Sequence, residues 1–425
     1  MDTLTPATPH PGPGWQRRYW AVFGGQALSL IGSALTQFVL LWWITDTTGS
    51  VAALSTAGMA ALLPQALLGP LGGTLADRYS RRVIMIVADT VSAACMLVLI
   101  VLFATDQVQL WHVYVMMFVR SCMQAFQAPA SAASTAMLVP PEFLDRAAGL
   151  NQTLMGIMTI AAAPLGALAI SVMPLGAALS IDVVTALLGL VPLLIYRIPQ
   201  IRTPREERRS VWAEFREGVD TVWQHPGLRR LYLLLALVVL TIMPTFTLTP
   251  LLVKAHFGGG AAQVALMEGL SGVGMIAGGV LAVALAPKNR IVTMLLALAV
   301  SCGTLALTAL APAQTFWLGV VWWVVSGLSF SFGNAPMTAL LQSGVPNQLQ
   351  GRVLSLLSTV MGLAGPLGLA IAGPLGQAIG VRGLFVVGGT LSAVVCMLGL
   401  FSPTLRGLGR APQGSPAVPR LSSEP

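Results

Sequence analysis

The sequence predicts an all-α membrane protein: twelve transmembrane helices in two parallel-repeat six-helix bundles, with both termini cytoplasmic. Three observations predict it. Of the 425 residues, 55% are hydrophobic and only 9% are charged, and the mean hydropathy is +0.79, whereas soluble domains are about 25% charged. Apolar runs long enough to cross about 30 Å of hydrocarbon recur along the whole chain. Short motifs of the first half return, in the same order, in the second. This composition excludes a water-soluble enzyme. The 44 Gly and 28 Pro are scattered without period, and four Cys make no disulfide framework. Cys95, Cys122, Cys302 and Cys396 lie inside apolar runs, where a thiol acts as a small buried hydrophobe.

Spans are expected near 20–44, 52–76, 83–105, 111–136, 148–172 and 176–196, then near 231–253, 262–286, 291–310, 316–341, 353–379 and 383–401. Several contain Pro, which bundles tolerate because neighbouring groups satisfy the freed carbonyls. With the N-terminus inside, all Lys and Arg fall on the cytoplasmic side except Lys254, Arg382 and the intramembrane Arg120. That asymmetry sets the orientation. It also accounts for the net charge of +8 without nucleic-acid binding.

The repeat is explicit. Gly73-Thr74-Leu75-Ala76 returns as Gly279-Val280-Leu281-Ala282, and Ala128-Pro129 as Ala335-Pro336. Val139-Pro140 with Arg146 returns as Val345-Pro346 with Arg352. Pro164-Leu165-Gly166 returns as Pro366-Leu367-Gly368, shifted by about one helical turn. Parallel repeats are related by an axis along the membrane normal. The chain therefore divides into a disordered tail (1–19), a first bundle (20–196), a cytoplasmic linker (197–230), a second bundle (231–402) and a disordered tail (403–425). In the linker, Val211, Phe215, Val219 and Val222 share one face, the pattern of an amphipathic surface helix.

Between spans 2 and 3 the chain reads Gly72-Gly73-Thr74-Leu75-Ala76-Asp77-Arg78-Tyr79-Ser80-Arg81-Arg82. This resembles the signature loop of the major facilitator superfamily, with Ser80 where that family usually has Gly. Gly73 would let a helix of the other half approach closely. Asp77 would sit against a helix N-terminus of the opposite bundle, held by Arg78 and Arg82, with Arg81 a further member of the loop. The second copy has lost the acid, so any such clasp is asymmetric. Thr47-Thr48-Gly49-Ser50, Asp89, Arg120, Phe126-Gln127-Ala128-Pro129, Ile181-Asp182 and Gly351-Arg352-Val353-Leu354-Ser355-Leu356 are similar to the macrolide-efflux-like drug:proton antiporter branch. The resemblance implies a multi-pass transporter of a bacterial cell (inner) membrane. It also implies export of lipophilic or amphipathic small molecules coupled to proton entry. Relatives that export siderophores or move lysophospholipids keep those alternatives open, as does a non-transporting receptor or scaffold. The span-5 antiporter motif departs from the family pattern, reading Ala163-Pro164-Leu165-Gly166-Ala167.

A charge near the bilayer centre costs about 2.5–3.5 kcal/mol, so Asp89, Arg120, Asp182 and Glu268 each ask for a reason. Arg120 is followed on one helix face by Gln124, Gln127, Ser131 and Ser134, a stripe that reads as a wet cavity wall or as interhelical hydrogen bonding. Arg120 resembles the span-4 arginine that assists proton transfer in the superfamily's antiporters. A buried carboxyl takes up a proton more readily, which makes Asp182 and Glu268 proton-coupling candidates; a structural role for either is equally open. Asp89, near the cytoplasmic end of span 3, is expected to have a structural or gating role, pairing with Arg81 or Arg82, with proton coupling as its alternative. Further cavity candidates are Gln26, Ser33 and Gln37 on one face of span 1, Asn151 in span 5, Thr241, Thr245 and Phe246 in span 7, and Asn334 in span 10. Asp46 is expected to be solvated. The four His show no metal spacing and there is no phosphate-binding Gly-Lys-[Ser/Thr] loop. Neither a cofactor nor a metal is expected, and the protein is expected to be a monomer.

Overall fold

The structure, a computed structural model, describes residues 12–198, 216, 219–220, 222–344 and 347–408, and among these the ordered elements are all helical. The first half comprises α1 (Trp15–Thr48), α2 (Val51–Arg78), α3 (Arg81–Ala104), α4 (Leu110–Leu138), a 3-10 turn (Pro141–Phe143), α5 (Leu144–Val172) and α6 (Leu175–Ile195). The second half comprises α7 (Pro226–Phe257), α8 (Ala261–Leu285), α9 (Arg290–Leu310) and α10 (Phe316–Gly344), followed by Asn347–Leu400. Gly380, with φ 73°, breaks that last stretch into α11 (347–379) and α12 (381–400). A short α13 (Pro403–Leu408) ends the described chain.

Local chemistry sets the tight turns. Gly49, at φ 57°, closes α1 with its N–H on the Thr45 carbonyl, the left-handed cap that glycine favours. Ser50 then starts α2, its Oγ accepting from the Ala53 N–H at 3.3 Å. Among the described residues ten helices are long and apolar enough to cross a membrane. That number takes α11 and α12 as one and omits α4, whose Arg120, Gln124 and Gln127 dilute its apolar content. Large apolar side chains such as Leu67, Val87, Val98, Leu187, Val283 and Leu398 point outward, the surface that lipid covers.

Both halves pair their helices alike. In the first, α1 packs on α5 and α6, α2 on α4, and α3 on α4 and α6. In the second, α7 packs on the α11–α12 stretch, α8 on α10, and α9 on α10 and α11–α12. The repeated motifs mark equivalent contacts. A Cβ on Gly166 would lie 2.6 Å from Phe38 of α1, and one on Gly368 would collide with the Leu240 carbonyl of α7. A Cβ on Gly72 would collide with the Ala125 carbonyl of α4, and one on Gly278 with the Leu328 carbonyl of α10. Pro129 lacks an N–H, so it leaves that Ala125 carbonyl without its helical donor. The expectation for Gly73 needs correcting. Among the described residues, a Cβ there would meet no atom within 4 Å, and the close approach belongs to Gly72, within its own half.

Among the described residues, the halves meet along two seams. Along α2 and α11, Val51 lies by Gly376, Ser55 by Gly373 and Ala66 by Gly362. Along α5 and α8, Pro164 meets Gly269 and Ile160 meets Gly272. Lys254 of α7 reaches the Asp46 carboxylate of α1 at 2.7 Å. Asp46 is solvated, its side chain 62% exposed, and ion-paired as well. At the other, arginine-rich end, which carries the α2–α3 and α4–α5 connections, Cβ atoms on Gly73, Gly149 and Gly156 would touch nothing among the described residues. The halves are joined by an ion pair at the Asp46–Lys254 end.

The element bounds depart from expectation at two places. α1 begins at Trp15, inside the expected tail of 1–19, because Trp15 and Tyr19 pack on Phe143 with ring centroids 5.1 and 5.6 Å apart. α13 lies inside the expected tail of 403–425, with Leu405 buried and Arg230 bonded to Ser402 and Thr404. Residues 1–11 and 409–425 and most of the linker, including Val211 and Phe215, lie outside the described residues. Of the linker residues that are described, Val222 is buried while Arg216 and Asp220 are exposed. The repeat motif at Val345-Pro346 also lies outside them.

Gly72→Val is expected to destabilise the protein by about 1–3 kcal/mol through overpacking against α4. Gly73→Val is expected to leave stability within about 0.5 kcal/mol. Thermal unfolding of the purified variants reads the difference.

Candidate functional site: a charged cavity within the first half

The principal cavity, about 720 Å³, is lined by α1–α6 and runs toward Leu138, Leu144 and Asn151 at the arginine-rich end. Among the described residues, none of the second half borders it. A Cβ on Gly32 would collide with Thr185, so α1 and α6 touch there. That approach carries Ser33 to Asp182, whose Oδ1 accepts the Ser33 hydroxyl at 3.0 Å. Asp182 Oδ2 accepts from Arg120 Nη2 at 3.0 Å, with both side chains largely buried. Arg120 also points Nη1 at Met96 Sδ, 3.4 Å away. A hydrogen-bonded ion pair thus joins α4 and α6, with α1 contributing the third member.

Two helical turns closer to the arginine-rich end lies a second polar layer. Seven residues separate Ser33 from Gln26 and Arg120 from Gln127, about 10 Å along each helix. Gln127 Nε2 donates to Asp89 Oδ1 at 2.8 Å and to Gln26 Oε1 at 2.8 Å. Gln26 Nε2 donates to Asp89 Oδ2 at 3.1 Å. Asp89 is buried, and no Lys, Arg or His lies within ion-pair distance among the described residues. The expected pairing of Asp89 with Arg81 or Arg82 is therefore replaced. Arg81 instead donates to the Ala133 carbonyl at 2.9 Å and meets Asp77 at 3.4 Å. Arg82 turns to the Leu193 and Leu194 carbonyls at the end of α6, where a cation suits unpaired helix carbonyls.

In fold, this arrangement has counterparts among solved transporters. A bacterial homologue of the human lysosomal transporter Spinster, solved in an inward-facing, unoccupied conformation, superposes with a TM-score of 0.67 at 16% identity, covering 94% of this chain and 98% of that one. A mutant of the nucleoside transporter NupG superposes with a TM-score of 0.71 at 13% identity, covering 90% and 99%. In sequence, the Major Facilitator Superfamily profile matches residues 22–369. The chain belongs to the Major Facilitator Superfamily. Among curated relatives of this superfamily, macrolide efflux protein A of Streptococcus pyogenes is 34% identical over 388 residues, spanning 90% of this chain and 96% of its own. The multidrug efflux pump Tap of Mycolicibacterium fortuitum is 25% identical over 396 residues, spanning 89% and 94%.

Among the described residues, Asp77 of the superfamily loop pairs within its own half. Asp77 is 63% exposed on its side chain and pairs with Arg81 of its own half, and Arg78 is exposed. Among the other residues singled out from sequence, Gln37, Gln124 and Asn151 line the first-half cavity. Those of the second half lie elsewhere. Thr241 bonds Ser392 of α12 and Thr245 is buried on the Ile242 carbonyl. Phe246 packs edge-on to Trp323, 5.7 Å between centroids. Asn334 is exposed on α10, its carbonyl accepting from Thr338. Glu268, half-buried in α8 next to the Gly269–Pro164 contact, has no polar partner among the described residues.

Sequence reasoning missed Tyr19, which lines the cavity with its hydroxyl buried and without a hydrogen-bond partner. The signal was available: Tyr19, Gln26 and Ser33 recur every seven residues on one face of α1. Assigning residues before 20 to the tail hid it.

Arg120→Ala is expected to cost about 3–5 kcal/mol, since it strands a buried carboxylate. The double variant Arg120→Ala/Asp182→Asn is expected to recover most of that loss. Thermal unfolding of wild type, both single variants and the double variant closes the cycle.

Proposed function

We propose that the chain is a secondary transporter that exports lipophilic or amphipathic small molecules, as in drug efflux, by proton antiport with alternating access. It spans a bacterial cell membrane twelve times as a monomer with both termini in the cytoplasm. The concentration of Lys and Arg at the end that carries the α2–α3 and α4–α5 connections supports that orientation, and the first-half cavity runs toward that end. The similarity to macrolide efflux protein A over 90% of the chain supports export of such compounds. As a transporter, it performs no chemistry on its substrate.

The observation that carries the coupling is the Arg120–Asp182–Ser33 cluster at the deep end of the cavity. Protonating Asp182 removes the negative charge that holds Arg120 in place. The arginine, always charged, then seeks another acceptor. One proton therefore changes the balance of a buried charge pair within reach of cavity water. In the alternate state the α2–α11 and α5–α8 seams open at the Asp46–Lys254 end. The arginine-rich ends close together and bring Asp77 against the second half.

Everted membrane vesicles with an imposed pH gradient test this reading. Wild-type vesicles are expected to take up lipophilic compounds and to release protons in a substrate-dependent way. Arg120→Ala/Asp182→Asn is expected to fold yet lose pH-driven uptake; undiminished uptake would remove the pair from coupling. Asp77→Asn is expected to slow turnover while leaving substrate affinity within about threefold. Lost affinity with normal turnover would contradict the clasp.

A further inference from the structure

We propose that Trp223, just before α7, and Arg229, near its start, bind an anionic phospholipid of the leaflet at the arginine-rich end. The phosphate rests on Arg229 and an acyl chain follows the outer face of α7. The two side chains are set by their neighbours. Val222 is buried, which turns the adjacent Trp223 outward, 62% exposed. The Arg229 guanidinium lies over the Trp223 ring, 5.5 Å from its centroid. Arg230, next along the helix, turns back to the protein and donates to Ser402 at 3.2 Å and to Thr404 at 2.5 Å. Among the described residues Arg229 has no such acceptor, and no carboxylate lies within ion-pair distance of it. A guanidinium beside an aromatic face keeps its N–H donors, which lie in its own plane, for a bidentate acceptor such as a phosphate.

Membrane topology asks for charge at this end but not for this arrangement. Arg229, Leu233 and Leu237 follow one another at four-residue steps on one face of α7. Leu233 and Leu237 are exposed, and neither borders the first-half cavity, so this face is turned to lipid. Leu233 lies about 6 Å and Leu237 about 12 Å deeper than Arg229 along the helix. α7 runs from here to Lys254 at the opposite end, so Arg229 stands where the apolar column stops, at headgroup level. An indole is favoured at that boundary, and an anionic lipid attracts a basic side chain there. A soluble anion would use Arg229 alone, whereas a phospholipid also covers Leu233, Leu237 and the Trp223 ring. Charge then selects among lipids. A choline headgroup brings its own cation beside Arg229 and Arg230, and phosphatidylglycerol does not. The site lies outside the transport cavity and does not rest on the efflux reading.

Native mass spectrometry of the delipidated full-length protein, titrated with phosphatidylglycerol or phosphatidylcholine of the same acyl chains, reads the affinity of the first lipid retained. Wild type is expected to hold phosphatidylglycerol about fivefold more tightly than phosphatidylcholine. Arg229→Gln is expected to abolish that preference, and Trp223→Leu to weaken phosphatidylglycerol binding about threefold. Arg17→Gln removes the same charge from an exposed site of the first half and is expected to leave binding within about twofold of wild type. No preference in wild type, an unchanged preference in Arg229→Gln, or an equal loss in Arg17→Gln overturns the proposal. Displacement of the lipid by glycerol 3-phosphate at matching concentration would make this a site for soluble anions and overturns it too. Should Arg229→Gln fail to fold, photo-crosslinking decides. Benzoylphenylalanine in place of Trp223 is expected to capture phosphatidylglycerol in preference to phosphatidylcholine from mixed nanodiscs, and equal capture overturns the proposal.

Discussion

A charge within hydrocarbon must find a partner, and the pairing of Arg120 with Asp182 is the constraint around which the first half is built. The pair needs α4 and α6 at ion-pair distance, with Ser33 of α1 completing the acceptor set. Gly32 permits that approach, because any side chain there would displace Thr185. Once the pair is fixed, the register of three helices is fixed. The second layer then follows two turns away, with Gln26 and Gln127 converging on Asp89. The polar stripe that dilutes the apolar content of α4 is the same stripe that lines the cavity.

This places rigidity and motion in different parts of the molecule. The first half is tied internally by two polar layers and by Arg81 and Arg82, which reach across to α4 and α6. The halves meet through small residues and an ion pair at the Asp46–Lys254 end. Contacts of that kind let packed helices rock as bodies rather than deform. In the superfamily loop, Asp77 is exposed and pairs with Arg81 of its own half.

Much of this is legible in the sequence because helical periodicity and charge cost act locally. The stripe from Arg120 to Ser134, the face carrying Gln26, Ser33 and Gln37, and the repeated Pro-Leu-Gly all follow from spacing along one helix. What spacing does not supply is which helix faces which. Proximity in sequence directs Asp89 to the arginines of the loop, yet it meets glutamines from α1 and α4. The motif stresses Gly73, whereas helix rotation decides that Gly72 touches α4. Lys254 and Asp46, far apart in the chain, meet only through the arrangement of the two halves. Glu268 sits in an apolar run as conspicuously as Asp182, yet the structure gives it no partner among the described residues.

Spin-label distances test most directly whether the first half keeps its polar layers intact while the two halves swing about the α2–α11 and α5–α8 seams. In a cysteine-free background, labels at Ser80 and Asn289, on exposed connections of opposite halves, report the arginine-rich end. Labels at Ser80 and Glu142, both in the first half, serve as the internal reference. Two distances are expected for the first pair, their populations shifting with pH and with transported compound, and one unchanging distance for the second. A single fixed distance across the halves, or a reference distance that changes as much as the first, would contradict rigid-body rocking.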